Sequence, residues 1–275
     1  MPLAGIALGT GIGGGTSATS GGAPGGGGDN LIPGEQAVID LGPSFWVDAS
    51  WPDAVKSEDS GGEATATDGQ DVSKWISRAG SGIELTQTNA TNRPVFNSSV
   101  AAFGNYSTIT FDSSTSDHID KDARYVDTSG DVGTIFYVGK ELNGGANARI
   151  INWSTENNAN LGTNYGSNAF FLYKGGSPTV VVHGTNGIQL NPYMAAISLD
   201  GSSSYVSVNE ATNTAFTAGA EMTADVGPTS VCLSSNVAST QAAEYIIFNT
   251  ALSPTNVALV ETYLKNKYKD GGSFG

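Results

Sequence analysis

The stretch "FDSSTSDHIDKD" places Asp112, Asp117, Asp120 and Asp122 close together along the chain, and carboxylates at this density suggest two kinds of chemistry. Two of them facing each other across a sugar linkage could serve as general acid and as base or nucleophile. Several of their oxygens together could hold Ca2+, a hard cation that takes about six to eight oxygen ligands. The spacing is not that of an EF-hand, and the residues fall at a strand end and in the loop after it, where a solvated or structural role is the first reading. Ca2+ held by Asp112, Asp117 and Asp120 is the alternative, and no other cofactor is expected. His118 lies in the same loop and His183 ends a strand, but neither has a sequence neighbour that suggests a triad. No residue is therefore assigned a catalytic role.

Sugar recognition without cleavage needs exposed aromatic faces beside hydrogen-bonding groups. Trp153, Tyr165 and Tyr173 flank the Asn- and Gly-rich "STENNANLGTNYGSN" and form the candidate glycan-binding set, with packing on their own strands as the competing reading. "GTGIGG" (Gly9 to Gly14) matches the dinucleotide fingerprint in letters alone, since no strand-like run precedes it and no helix pattern follows. The formal charge of -14, from 26 acidic and 12 basic residues, repels phosphate backbones, so no nucleic-acid partner is expected. The single cysteine, Cys232 in "SVCLS", reads as a small core residue that can form no intramolecular disulfide.

The elements that would carry these residues are mostly strands. Only 14% of residues are charged, and short alternating or β-rich runs recur between turn residues, as in a sandwich. Examples are "STITFD" (Ser107 to Asp112), "GTIFYVG" (Gly133 to Gly139), "MAAISLD" (Met194 to Asp200), "SYVSVN" (Ser204 to Asn209) and "AEYIIFN" (Ala243 to Asn249). One helix is expected at about 254–268, with Ser253 as N-cap, Pro254 at the first helical position and Val257, Val260 and Leu264 on one face. Lys265, Lys267 and Lys269 would complement its C-terminal dipole, and its apolar stripe would pack against a sheet edge or end. No stretch approaches the roughly 20 apolar residues that span a bilayer, so no membrane insertion is expected.

Three segments carry a resemblance: "FWVDAS" followed by "DVSKWISRAG", then "NRPVF" leading to "ITFD", and finally "AEYIIFNTALSPTNVALVETYLKNKY". In this order they resemble the concanavalin A-like, laminin-G-like jelly-roll superfamily over roughly residues 40 to 269. The resemblance implies an all-β, antiparallel two-sheet jelly-roll sandwich with one short C-terminal helix, and core roles for Trp46 and Trp75. Such folds host lectins, glycosidases and structural modules alike. The Glu-x-Asp-x-x-Glu triplet of the retaining jelly-roll glycosidases is absent, which disfavours the reading as a glycoside hydrolase or lyase.

Residues 1–34 stand apart from the 35–275 domain. They hold 13 of the 37 glycines and too few side chains able to bury anything to fold alone. Gly11, Gly13, Gly14, Gly15, Gly25 and Gly26 suit an extended anchoring arm, because glycine lets backbone approach backbone closely. A Gly-rich N-terminus without a standard signal peptide, joined to a laminin-G-like sandwich, looks like virion proteins of tailed bacteriophages, made in the host cytoplasm. The resulting expectation is a capsid decoration protein, head fibre or tail appendage in a symmetric assembly. Its arm would contact other virion proteins, and its sandwich could bind host or environmental glycans. A carbohydrate-binding adhesion module outside any virion is the alternative.

Overall fold

Runs of β-branched and aromatic residues between glycines, serines and asparagines become short strands, and the apolar stripe after Ser253 becomes a helix. A computed structural model of the protein describes residues 31–59, 62–80, 82–120, 132–143, 148–152, 159–164, 169–174, 177–182, 191–210, 214–215, 233–234, 239–269 and 274. Helix α1 (Glu35–Asp40) precedes strands β1 (Phe45–Asp48), β2 (Val55–Asp59), β3 (Gly62–Thr65), β4 (Lys74–Ile76), β5 (Glu84–Thr86), β6 (Val95–Val100), β7 (Tyr106–Phe111) and β8 (His118–Ile119). There follow β9 (Val132–Glu141), β10 (Ala148–Asn152), β11 (Ala159–Asn164), β12 (Ala169–Lys174), β13 (Ser177–Val182) and β14 (Tyr193–Asp200). The chain continues through β15 (Tyr205–Val208), β16 (Thr214–Ala215), β17 (Leu233–Ser234) and β18 (Thr240–Phe248) to helix α2 (Pro254–Lys269).

The larger sheet runs in the order β16, β15, β14, β9, β18, β7, β6. Strand β1 joins it by pairing residues 45–48 with 244–247 of β18, while β7 pairs with residues 240–242, so β1 and β7 share one edge of that long strand. Two four-stranded sheets, β10 to β13 in sequence order and β3, β2, β4, β5, complete the antiparallel sandwich. Phe45, Val47, Ile135, Tyr137, Ile197, Tyr245 and Ile247 of the larger sheet pack with Val55, Trp75 and Leu85 of one smaller sheet and Ile150 and Ile151 of the other.

The opposite face of the larger sheet is also covered. Trp46, Phe136, Val138, Met194, Ala196, Ile246 and Phe248 pack with Val38 of α1 and with Val257, Val260, Tyr263, Leu264 and Tyr268 of α2. The helix therefore lies across the sheet's central strands, and not against an edge or end as its amphipathic stripe alone suggests. Burial on both sides explains why β14 and β18 are buried along almost their whole length in place of alternating buried and exposed positions. Trp46 and Trp75 are both fully buried, as the resemblance implies.

Helix α1 is an element that the sequence reading lacks, because six residues with one buried aliphatic carry almost no periodic signal. It forms because Gly34, at φ +91°, turns the chain in contact with Tyr263 of α2, where a Cβ would meet backbone and side-chain carbon at 3.3 Å. Glu35 then accepts the backbone N–H of Ile32 at 2.9 Å. Ser253 caps α2 as expected: its Oγ accepts Asn256 N–H at 3.3 Å and its carbonyl accepts Val257 N–H at 2.9 Å.

Along α2, Glu261 packs beside β15, and burial together with the nearby Glu210 pushes its pKa up to about 7, against the pull of Lys265. A carboxyl raised in the folded state stabilises most below its ordinary pKa near 4.5 and loses that contribution as pH rises through about 7. Glu261→Gln should therefore flatten the fall in urea midpoint between pH 5 and pH 8. Parallel slopes for wild type and variant would refute the assignment.

Candidate functional site

The end of β1 and the turn after it build the most developed aromatic surface among the described residues. Asp48 Oδ1 accepts Ser50 N–H at 2.9 Å, Trp51 N–H donates to the Asp48 carbonyl at 3.1 Å, and Ala54 N–H donates to the Trp51 carbonyl at 3.1 Å. Asp53 takes the left-handed conformation (φ 60°) that this tight turn requires. Trp51 is thereby held outward at 38% exposure, and it is the exposed aromatic among the large apolar side chains described. Its indole is backed by Arg78, whose guanidinium carbon lies 3.6 Å from the Trp51 ring centroid and 4.0 Å from that of buried Trp46. A cation between two indoles gains from the negative ring faces on both sides and fixes the ring planes.

Arg78 is held in turn. Its backbone N–H donates to the Trp46 carbonyl at 2.7 Å, and its guanidinium pairs with Glu35 of α1 and with Asp48 at 3.2 Å. Asp48 and Glu244 also bond Lys267 of α2, at 2.5 and 2.8 Å. Trp46 Nε1, Tyr263 OH and Tyr268 OH donate to the Glu244 carboxylate at 2.5, 3.0 and 2.7 Å. Two cations thus serve three carboxylates inside the protein. Burial pushes Glu244 above the usual carboxylate range, against the pull of Lys267. Burial opposes the charge of Lys267, yet Asp48 and Glu244 hold its pKa above the ordinary lysine value. Lys267 is therefore not the solvent-facing complement of a helix dipole that its position suggests. Lys265 does face outward and pairs with Glu210 at 2.9 Å.

A β-bulge makes this cluster possible. The register of β18 against β9 shifts between Ala242 and Glu244, so that Ala243 and Glu244 both point toward the helices while Ala242 points into the sandwich. Asp48 and Glu244 then face each other across paired strands. Two opposed carboxylates are what a glycosidase requires, but these are closed off beneath α2 and share a lysine.

The aspartate loop closes on itself. Asp117 is buried and accepts Asp112 N–H at 2.9 Å and Thr115 Oγ–H at 2.6 Å, while Asp112 accepts Ser114 N–H at 2.8 Å. Hydrogen bonds from Ser114 hold Asp112 below the usual carboxylate range, whereas burial pushes Asp117 up. Asp120 is placed apart by its backbone pairing with Thr86. Among the described residues no three His, Cys, Asp or Glu side chains gather as a metal-holding group, so the structure does not bring Asp112, Asp117 and Asp120 together as ligands. Of the aromatic set, Trp153 and Tyr165 lie outside the described residues, as do His183, Cys232, Asp122 and the arm glycines Gly11, Gly13, Gly14, Gly15, Gly25 and Gly26. Tyr173 stands in β12 opposite Asn160 and Pro178. The sequence alone does not single out Trp51; its visible signal is a Trp-Pro pair in a turn just past a strand.

No known family model matches the sequence, and no curated protein matches it. Among solved structures, the chain is similar to the botulinum neurotoxin serotype G binding domain, at a TM-score of 0.52 and 12% identity over 80% of this chain and 50% of that one. Weaker likenesses are a botulinum neurotoxin type C structure (TM-score 0.49, 10% identity, 70% of this chain and 51% of that one) and Trypanosoma rangeli sialidase (TM-score 0.49, 9% identity, 82% and 33%). The chain spans a third to half of the length of these proteins. At such identities the likeness concerns fold alone, and the sheets described above place the chain in the class of antiparallel β-sandwiches. No helix among the described residues is long and apolar enough to cross a membrane.

Proposed function

We propose that the chain is a non-catalytic carbohydrate-binding sandwich that takes the C–H face of a sugar ring on Trp51. The observation that carries this reading is the indole itself: exposed on one side, and backed on the other by a guanidinium held by two carboxylates. A pre-ordered ring loses little conformational entropy when a pyranose stacks on it. The non-catalytic part is supported by the burial of Asp48 and Glu244 and by the loop-closing bonds of Asp112 and Asp117. Trp51→Ala should keep the fold, seen as an unchanged circular dichroism spectrum, and weaken glycan-array binding by about tenfold or more. Retained binding by that variant would remove Trp51 from the site.

The Gly-rich residues before Leu31 support a finer reading, in which the sandwich is displayed on the virion of a tailed bacteriophage and anchored by that arm. Thirty extended residues reach on the order of 100 Å, enough to cross neighbouring subunits. Deletion of residues 2–30 should leave a folded sandwich that no longer loads onto particles. The deletion stops there because Ile32 packs on the helix-side core and the Pro33 carbonyl accepts Asn266 Nδ2–H at 3.0 Å. Normal loading of the truncated protein would rule out the anchor.

A further inference from the structure

We infer that the Trp51 surface selects uncharged sugars and discriminates against anionic ones, an inference that rests on the glycan-binding reading above. An acidic sugar stacked on Trp51 would need a cation to receive its carboxylate. Among the described residues the cation at the platform is Arg78, but its guanidinium is sandwiched between two indoles and already paired with Glu35 and Asp48. Its side chain is nearly inaccessible, so it works as a support for the indole and not as an anion receptor.

The next cation along the chain, Lys56 of β2, is also engaged. Lys56 Nζ lies 3.5 Å from Asp53 Oδ1 and 3.3 Å from Thr65 Oγ1. Asp53 is two residues from Trp51, its side chain is 75% exposed, and Thr65 Oγ–H donates to it at 2.5 Å. The turn that carries Trp51 therefore also carries an exposed carboxylate, in a chain whose formal charge is -14. That carboxylate accepts hydrogen bonds from sugar hydroxyls, whereas a second carboxylate beside it is repelled, most strongly at low ionic strength. Thr65 and Lys56 keep Asp53 below the usual carboxylate range, so the repulsion persists at mildly acidic pH.

The test is a titration of the full chain, its Trp51→Ala variant and its Asp53→Asn variant with two sets of oligosaccharides at low ionic strength. The neutral set is lactose, cellotetraose, maltotetraose, chitotetraose and mannotetraose; the anionic set is 3'-sialyllactose, tetragalacturonate and a chondroitin tetrasaccharide. The expected result is that the tightest ligand is neutral, that it weakens about tenfold or more in Trp51→Ala, and that every anionic ligand binds at least about tenfold more weakly. Asp53→Asn should narrow that gap by about two- to fivefold, since asparagine tolerates the same backbone conformation without the charge. Anionic ligands that bind through Trp51 as tightly as neutral ones would overturn the selectivity while leaving the glycan site standing. An unchanged gap in Asp53→Asn would refute the charge mechanism. If no oligosaccharide binds, or none depends on Trp51, the glycan-binding reading itself falls.

Discussion

Lys267→Met is expected to lower the unfolding free energy by about 3–5 kcal/mol, the range for removing one partner of a buried charge pair. Methionine fills much of the same volume, so the loss is electrostatic. Asp48 and Glu244 would remain facing each other beneath α2, with Arg78 as the remaining cation of the cluster. The substitution also leaves Tyr263 and Tyr268 donating to a carboxylate whose charge is no longer matched. Urea unfolding should show a lower midpoint with an unchanged slope, the sign of lost stability without a change in the surface exposed. A pH series separates this from a packing defect. Burial already pushes the Glu244 carboxyl up, and without the opposing pull of Lys267 it favours its protonated form still more in the folded state, so the deficit of the variant should shrink as pH falls toward 4. A deficit below about 1 kcal/mol, or one independent of pH, would mean that the cluster contributes little beyond filling space.

The second large effect is expected at Gly139. A Cβ there would fall 1.9 Å from the Tyr137 hydroxyl and 2.8 Å from the Gln241 carbonyl. Tyr137 has nowhere to move, since its ring packs at 4.8 Å from Tyr245 and 5.6 Å from Tyr193 inside the sandwich. Burial pushes the Tyr137 phenol well above its ordinary pKa, so it stays neutral and wedged at any pH the fold survives. Gly139→Ala should cost about 3 kcal/mol, at the upper end for overpacking a filled core. In a Tyr137→Ala background the same substitution should cost much less, and a double-mutant cycle in urea reads that coupling directly. Additive costs would show that the clash is absorbed elsewhere, for instance by a shift of β18 away from β9.

Several features were legible in advance because they depend on near neighbours in the chain. The start of α2 follows from Ser253 and Pro254, and its buried face from the spacing of Val257, Val260 and Leu264. The strands β7, β14 and β18 follow from runs of β-branched and aromatic residues bounded by turns. Asp112 and Asp117 were visible as a loop cluster, and the loop proves to be closed by their own side chains, a contact between residues five apart.

The site residues were not legible in the same way. Trp51 reads as one more aromatic until Arg78 is seen beneath it, and nothing near "ISRAG" shows that its arginine pairs with a glutamate 43 positions earlier. Lys267 has the sequence context of a dipole-facing surface lysine, yet it bonds a carboxylate 219 residues away. Glu244 would face the interior of the sandwich in an unbroken strand; the bulge beside it turns it to the helix side.

By itself, then, the sequence determined the β-rich class, the closing helix with its cap, the acidic surface and the Gly-rich composition of the first residues. All of these are set by local pattern or by composition. Only the tertiary structure decided that α2 lies across the sheet, that two cations and three carboxylates meet beneath it, and that one tryptophan is held outward on a stacked arginine. Those outcomes depend on strand pairing and register between distant segments. A register shift of one residue sends a side chain to the opposite face, so no local pattern can encode which residues finally meet.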